Sequence, residues 1–130
     1  MPAPIRVKVT ISFDTSATGQ VFTVSVDPDP LVLPATFTSG QEIEWFISPA
    51  SSNWEFLYQG GASVGIDIKG PGTKFKDKKS ATGNKEHRWE WLAKETPGAG
   101  PKPYKYTISV VNKQIIPATT LIFDPSIHNP

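Results

Sequence analysis

Histidine, serine and acidic side chains are the residues of this 130-residue chain that could do chemistry. The two histidines, His87 and His128, form no His-x-His or His-x3-His pair that would preorganise a metal site. Cysteine is absent, which removes thiolate ligands, thiol nucleophiles and disulfides. No Gly-x-Ser-x-Gly elbow marks a hydrolase nucleophile. The sequence therefore predicts no metal, no cofactor and no catalytic residue.

Carboxylates offer two alternative sites. Glu42 and Glu44 project to the same side of a predicted strand, and Glu55 lying across from them would mimic a glycosidase pair. We favour an ordinary solvent-facing row. A second group could gather at one end of the domain as calcium ligands, namely Asp27, Asp29, Asp67 and Asp124. Most of these adjoin prolines or turns, where aspartate is common for local hydrogen bonding, and we favour that role.

A basic segment runs from Lys69 to Arg88, with seven basic and two acidic residues. Next to Trp89 and Trp91 it could form a stacking platform beside a basic groove, as in binders of single-stranded nucleic acid. A solvated lysine loop that protects an edge strand is the favoured interpretation, because lysine lacks the guanidinium fork that recognises phosphate. The net charge of +1 gives no field that attracts nucleic acid or an anionic membrane, so neither is an expected partner.

The four tryptophans are the remaining candidates for binding. Trp45 shares one strand face with two isoleucines and is expected in the core. We expect at least two of Trp54, Trp89 and Trp91 to be core residues as well. Any that is exposed would form, with Arg88, a tentative platform for sugar rings or a partner protein.

Alternating apolar residues predict the strands that position these side chains. The central strand is Pro103–Val111, in which every second side chain is apolar from Tyr104 to Val110. Further strands are predicted at 5–13, 22–26, 31–33, 41–48, 54–58, 64–68, 85–94 and 119–123. The range 73–84 is predicted as a loop, 92–95 as a possible helical turn, and the proline-bounded tail after Phe123 as a surface segment.

About eight or nine short strands, with proline or glycine at nearly every junction, predict an all-β fold. The expected architecture is an antiparallel two-sheet Greek-key sandwich forming a single domain over residues 1–130. A small closed barrel is the alternative.

Three strand motifs and the C-terminus carry a resemblance to known proteins: Gly40-x-x-Ile43-x-Trp45, Trp54-x-Phe56, Tyr104-x-Tyr106-x-Ile108-x-Val110 and Asp124-Pro-Ser-Ile-His-Asn129. The strand motifs resemble the cupredoxin-like sandwich, and the ending is similar to that of small uncharacterised bacterial β-proteins. Blue-copper sites need two histidines, a cysteine and a weak axial ligand. Without cysteine, the resemblance implies the architecture and not copper chemistry.

These observations predict a non-catalytic module that acts through its surface, by self-association or by binding a protein. A carbohydrate-binding module that uses surface tryptophans is the alternative. The N-terminus lacks the basic and apolar regions of a signal peptide, and no apolar run reaches about 20 residues, so a cytoplasmic protein without membrane contact is expected.

Overall fold

The computed structural model describes residues 3–16, 19–49, 52–59, 62–78, 85–95, 101–112 and 119–130. Within these ranges the chain is all-β, as predicted, and contains no helix. The strands are β1 (Ile5–Ser16), β2 (Gly19–Asp27), β3 (Leu31–Val32), β4 (Glu42–Ile47), β5 (Trp54–Phe56), β6 (Tyr58–Gln59), β7 (Ala62–Ser63), β8 (Ile66–Ile68), β9 (Phe75–Asp77), β10 (Glu86–Trp91), β11 (Lys102–Asn112), β12 (Thr119–Phe123) and β13 (Ser126–Asn129). The predicted count of eight or nine is wrong, because strands of two or three residues are too short to show a period of two.

The first sheet has the order β2-β1-β4-β10-β9. β1 and β2 form the predicted hairpin, with Ile11 opposite Val24. On its other side β1 pairs with β4 in parallel, with Val7 opposite Trp45. The purely antiparallel arrangement that we expected is therefore wrong for this sheet.

The second sheet is built around β11, which confirms the predicted central strand. β12 and β13 follow one another along one side of β11, and β5 and β8 lie along the other. β3 extends the sheet beyond β13 through a second parallel pair. A separate two-stranded ribbon joins β6 and β7, and neither main sheet closes into a barrel.

Aromatic contacts join the inner faces of the two sheets. Trp45 of β4 and Tyr106 of β11 lie with ring centroids 5.2 Å apart. Phe75 of β9 contacts Tyr104 edge to face at 5.1 Å. Both β10 and β11 bury every second side chain over most of their length, since a pleated strand turns successive side chains to opposite faces. The core therefore lies between the sheets.

Three local predictions are wrong. The predicted 73–84 loop contains β9, which pairs with β10 and buries Phe75; residues 79–84 lie outside the described ranges. The predicted surface tail is instead β13, in which Ile127 and Asn129 are fully buried. Prolines at both ends of the tail suggested a surface segment, but the four residues between them, Ser126–Asn129, pair with β11. The 92–95 segment is not helical.

No helix among the described residues has the length and apolar character needed to cross a membrane.

Candidate functional site

A serine, a histidine and an aspartate form one hydrogen-bonded group between the ribbon and the first sheet. Ser63 Oγ lies 2.8 Å from His87 Nδ1, and His87 Nε2 lies 2.7 Å from Asp77 Oδ1. A carboxylate accepts hydrogen bonds, so in the neutral ring Nε2–H donates to Asp77 and Nδ1 accepts from the Ser63 hydroxyl. The Gly65 amide also donates to Ser63 Oγ at 3.3 Å. These residue types match a hydrolytic triad, although no sequence motif indicated it.

Burial decides what this group can do. Ser63 and His87 are both fully buried, and only the Asp77 side chain, 20 % exposed, reaches the surface. A pocket of about 200 Å³ opens beside Asp77, but its lining is Val64, Ile66, Asp67 and Asp77 and does not include Ser63. The group connects β7, β9 and β10 through polar contacts.

The outer face of the first sheet carries an ion-pair network centred on Glu44. The Glu44 side chain is only 5 % exposed and accepts hydrogen bonds from Arg6 Nε at 3.0 Å and Arg88 Nε at 2.8 Å. Arg88 also reaches Glu42 at 3.2 Å. Desolvation opposes the charged form of Arg88, but its hydrogen bond and attraction to Glu44, with Glu42 nearby, raise its pKa overall.

The glycosidase pair that we considered as an alternative is not formed, and the solvent-facing row that we favoured is wrong for Glu44, which is buried. Glu42 and Glu44 do share a strand face, but Glu55 lies on β5 in the second sheet. The Arg88 guanidinium binds both Glu44, at 2.8 Å, and Glu42, at 3.2 Å. Glu42 and Glu44 therefore act in the ion-pair network.

The three candidate tryptophans are buried, with exposed fractions of 5 % for Trp54, 4 % for Trp89 and 0 % for Trp91. Trp89 Nε1 donates to the Ile66 carbonyl at 3.1 Å, and Trp91 Nε1 donates to Asn129 Oδ1 at 3.0 Å. The expectation that at least two are core residues is confirmed. The prediction of an exposed aromatic platform is wrong for these three tryptophans. Of the four residues proposed for binding, only Arg88 reaches the surface.

The other candidate groups are not assembled in the described part of the chain. Among those residues, no three or more His, Asp or Glu side chains come together as a metal site. In the basic segment, Lys69 pairs with Asp67 at 2.5 Å and Lys78 with Glu90 at 3.4 Å, while Lys85 donates to the carbonyls of Ser52 and Trp54. Burial lowers the pKa of Lys85, and Glu55 partly opposes that shift.

A different surface collects exposed apolar and charged side chains together with a pocket. We define the outer face of the second sheet by its four rows of neighbouring residues across the strands: Val32, His128 and Pro103; Lys69, Lys105 and Ser126; Asp67, Thr107 and Asp124; Ile122 and Ser109. Val32 is 65 % exposed and Ile122 is 67 % exposed, at opposite ends of the face. Between them lies a pocket of about 360 Å³ lined by Lys69, Lys105, Thr107 and Asp124.

The sequence was compared with known proteins. No family model matches the chain, and no curated protein matches it.

The outer face was missed because its residues come from four separate segments of the chain. Its only sequence signal is the polar half of the β11 alternation, Lys105, Thr107 and Ser109, which predicts a solvent-facing side. Which strands lie next to this side of β11 depends on long-range strand pairing, and the sequence did not indicate that pairing.

Proposed function

We propose that this protein is a non-catalytic interaction module that binds protein, a second copy included, through the outer face of its second sheet. The observation that carries the proposal is the placement of Val32 and Ile122 on this face. Isolated apolar residues are common on protein surfaces, but these two large β-branched side chains flank a pocket on one sheet face. An apolar contact beside polar groups is the usual composition of a protein interface.

The inaccessibility of the Ser63–His87–Asp77 group supports a role without catalysis. Its hydroxyl is satisfied inside the protein, and both its serine and its histidine are fully buried. The other carboxylates considered for catalysis, Glu42 and Glu44, share a guanidinium in an ion-pair network. Both observations support a function without catalysis.

We also propose a Greek-key sandwich of the cupredoxin-like type as the architecture that presents this face. Ring contacts between the sheets and the central position of β11 support it. Such a scaffold covers one side of each sheet and leaves the other to solvent, which makes an outer face available for binding.

The test is a capture experiment with matched variants of the full chain. The wild type, Ile122→Asp and Lys8→Asp are immobilised at equal density and incubated with lysate of the source cell and with free chain. Lys8 is exposed on the outer face of the first sheet, so its substitution adds the same acidic group on the opposite side. A charge placed at the centre of an apolar contact weakens binding strongly, whereas one outside it does not.

We expect the wild type and Lys8→Asp to retain the same protein, and Ile122→Asp to lose most of it. Equal retention by all three variants would show that the captured protein uses another surface. Failure of the wild type to retain either lysate protein or free chain would contradict the function itself.

A further inference from the structure

We infer that the outer face of the second sheet pairs with the same face of a second copy, in a two-fold dimer whose axis crosses β11 between Lys105 and Thr107. This inference rests on the proposed function and names its partner. It follows from the order of charged and apolar rows along the strands.

The two middle rows of the face carry opposite charges. Lys105 and Lys69 lie side by side, because the Lys69 amide donates to the Lys105 carbonyl at 2.9 Å. In the next row Asp67 lies opposite Thr107, and the Thr107 hydroxyl donates to Asp124 at 2.9 Å. One row is therefore cationic and its neighbour is acidic, roughly 7 Å further along the strands.

A two-fold rotation exchanges these rows between copies. When two copies stack face to face about an axis that crosses the strands, positions on one side of the axis meet positions on the other side. With the axis between the two middle rows, the lysine row of each copy covers the aspartate row of the other. Lys69 then faces the second copy's Asp67, while Lys105 faces its Thr107 and lies one strand away from its Asp124.

The same rotation brings together the apolar ends of the face. It exchanges the row of Val32 with the row of Ile122, so Ile122 of each copy covers the second copy's His128, next to its Val32. An axis parallel to the strands would instead place Asp67 over Asp124, since these residues flank β11 on opposite sides. Like charges at an interface cost several kcal/mol, which selects the crossing axis.

Charge complementarity favours a second copy over a partner with a strong net positive or net negative charge. The four charged residues of the middle rows cancel, so the face has no net charge with which to attract a strongly acidic or basic protein. Lys69 and Asp67 are 57 % and 58 % exposed and are free to share their pairing with a second copy. A surface that carries both signs in adjacent rows is complementary to itself.

The experiment is sedimentation equilibrium of the full chain and its charge variants. The variants are Lys69→Asp, Asp67→Lys, their equimolar mixture, and Lys8→Asp as the control on the first sheet. Each single reversal places like charges at both symmetry-related contacts, and we expect the dissociation constant of the dimer to rise at least about tenfold. The mixture has opposite charges at both contacts, and we expect it to form heterodimers with wild-type affinity. Lys8→Asp should dimerise as the wild type does.

Circular dichroism shows whether each variant is folded, and the mixture tests the contact even if one variant is less stable. A wild-type monomer at about 1 mM, where an association of about −4 kcal/mol is visible, would overturn the dimer. Failure of the mixture to restore association would overturn this axis. If the wild type is monomeric but captures a lysate protein that Ile122→Asp loses, the dimer is contradicted and the proposed function stands. If the wild type neither dimerises nor captures a protein, the dimer and the proposed function are both contradicted.

Discussion

At the scale of single residues, His87 links two elements through hydrogen bonds at both of its ring nitrogens. It is fully buried, and its two ring nitrogens contact Ser63 on the β6–β7 ribbon and Asp77 on β9. Unpaired polar groups in a protein interior cost about 1–3 kcal/mol each, so a fully bonded ring stabilises the packing of the ribbon against the sheet.

Replacement of His87 by alanine should therefore destabilise the protein markedly. The change leaves a cavity and removes one hydrogen-bond partner each from Ser63 and Asp77, and we expect the free energy of unfolding to fall by about 2–4 kcal/mol. His128→Ala is the matched control, because His128 is only half-buried on the outer face, and its effect should stay below about 1 kcal/mol. Urea unfolding of both variants measures the difference. Similar losses in the two variants would contradict the linking role of His87.

The burial of Ser63 also predicts its reactivity. A fluorophosphonate, which labels the activated serine of hydrolases, should not modify the folded protein, because the reagent must reach the hydroxyl. Intact mass spectrometry of the treated chain measures this, with a serine hydrolase as the positive control. An adduct mapped to Ser63 would show an accessible nucleophile and would contradict the non-catalytic proposal.

Tyr104 makes the stability of the folded protein depend on pH in the alkaline range. Burial, followed by its hydrogen bond to Glu95, raises the Tyr104 pKa from 10.0 to about 12. A raised pKa in the folded state means that folding favours the neutral phenol. This contribution to stability is complete below about pH 10 and is lost as the pH rises towards 12.

The unfolding free energy of the wild type should therefore fall more steeply between pH 10 and 12 than that of Tyr104→Phe. Phenylalanine keeps the ring but has no proton to lose, and Tyr106 is present in both proteins. Denaturant unfolding at several alkaline pH values measures the difference between the two curves. Parallel curves would contradict a raised Tyr104 pKa.

At the scale of elements, the entry into β8 depends on one glycine. A Cβ atom on Gly65 would lie 2.5 Å from the Phe56 Cβ, and Phe56 is fully buried on β5. The Gly65 carbonyl also accepts the Ser109 amide of β11 at 2.7 Å. The backbone is thus held between a core ring and the central strand.

Gly65→Ala should lower the free energy of unfolding by about 1–3 kcal/mol through overpacking against Phe56. Gly70→Ala is an informative comparison, because Gly70 has open space around its Cβ position but a φ of +59°. Its cost should be that of the left-handed conformation alone, about 1 kcal/mol. Thermal unfolding of the two variants separates the two causes. A Gly65→Ala variant as stable as the wild type would show that Phe56 can move aside.

Long strands could be predicted from sequence because apolar and polar residues that alternate over five or more positions fit a pleated strand and do not fit a helix. This holds for β1 and β11, and for the core position of Trp45. The short strands β6, β7 and β9 could not be predicted, since two or three residues do not establish a period. β13 was missed because Pro125 and Pro130 suggested a surface tail, although its pairing with β11 and β3 avoids both prolines.

The candidate sites were less predictable than the strands. Ser63, Asp77 and His87 meet only after the ribbon packs on β9 and β10, and nothing in their spacing indicates it. Trp89 and Trp91 were correctly expected to extend from one strand face, but the second sheet that covers them follows from long-range pairing. Sequence reasoning identified the residue types and could not supply their neighbours.

At the scale of the whole molecule, the outer faces of the two sheets differ in character. Their inner faces hold the aromatic core, and the outer face of the first sheet is occupied by ion pairs around Glu44. The outer face of the second sheet keeps exposed apolar residues beside a pocket. This asymmetry is the basis for assigning binding to one face only.

The most direct test of that assignment is a series of amide NMR spectra of the full chain, recorded from about 0.02 to 1 mM, a range in which weak association becomes visible. We predict shifts that increase with concentration and are confined to the outer face of the second sheet, on β11, β12, β13 and β8. A spectrum that does not change would contradict self-association. Shifts centred on the outer face of the first sheet, or around Ser63 and His87, would contradict the claim that the second sheet's outer face binds protein.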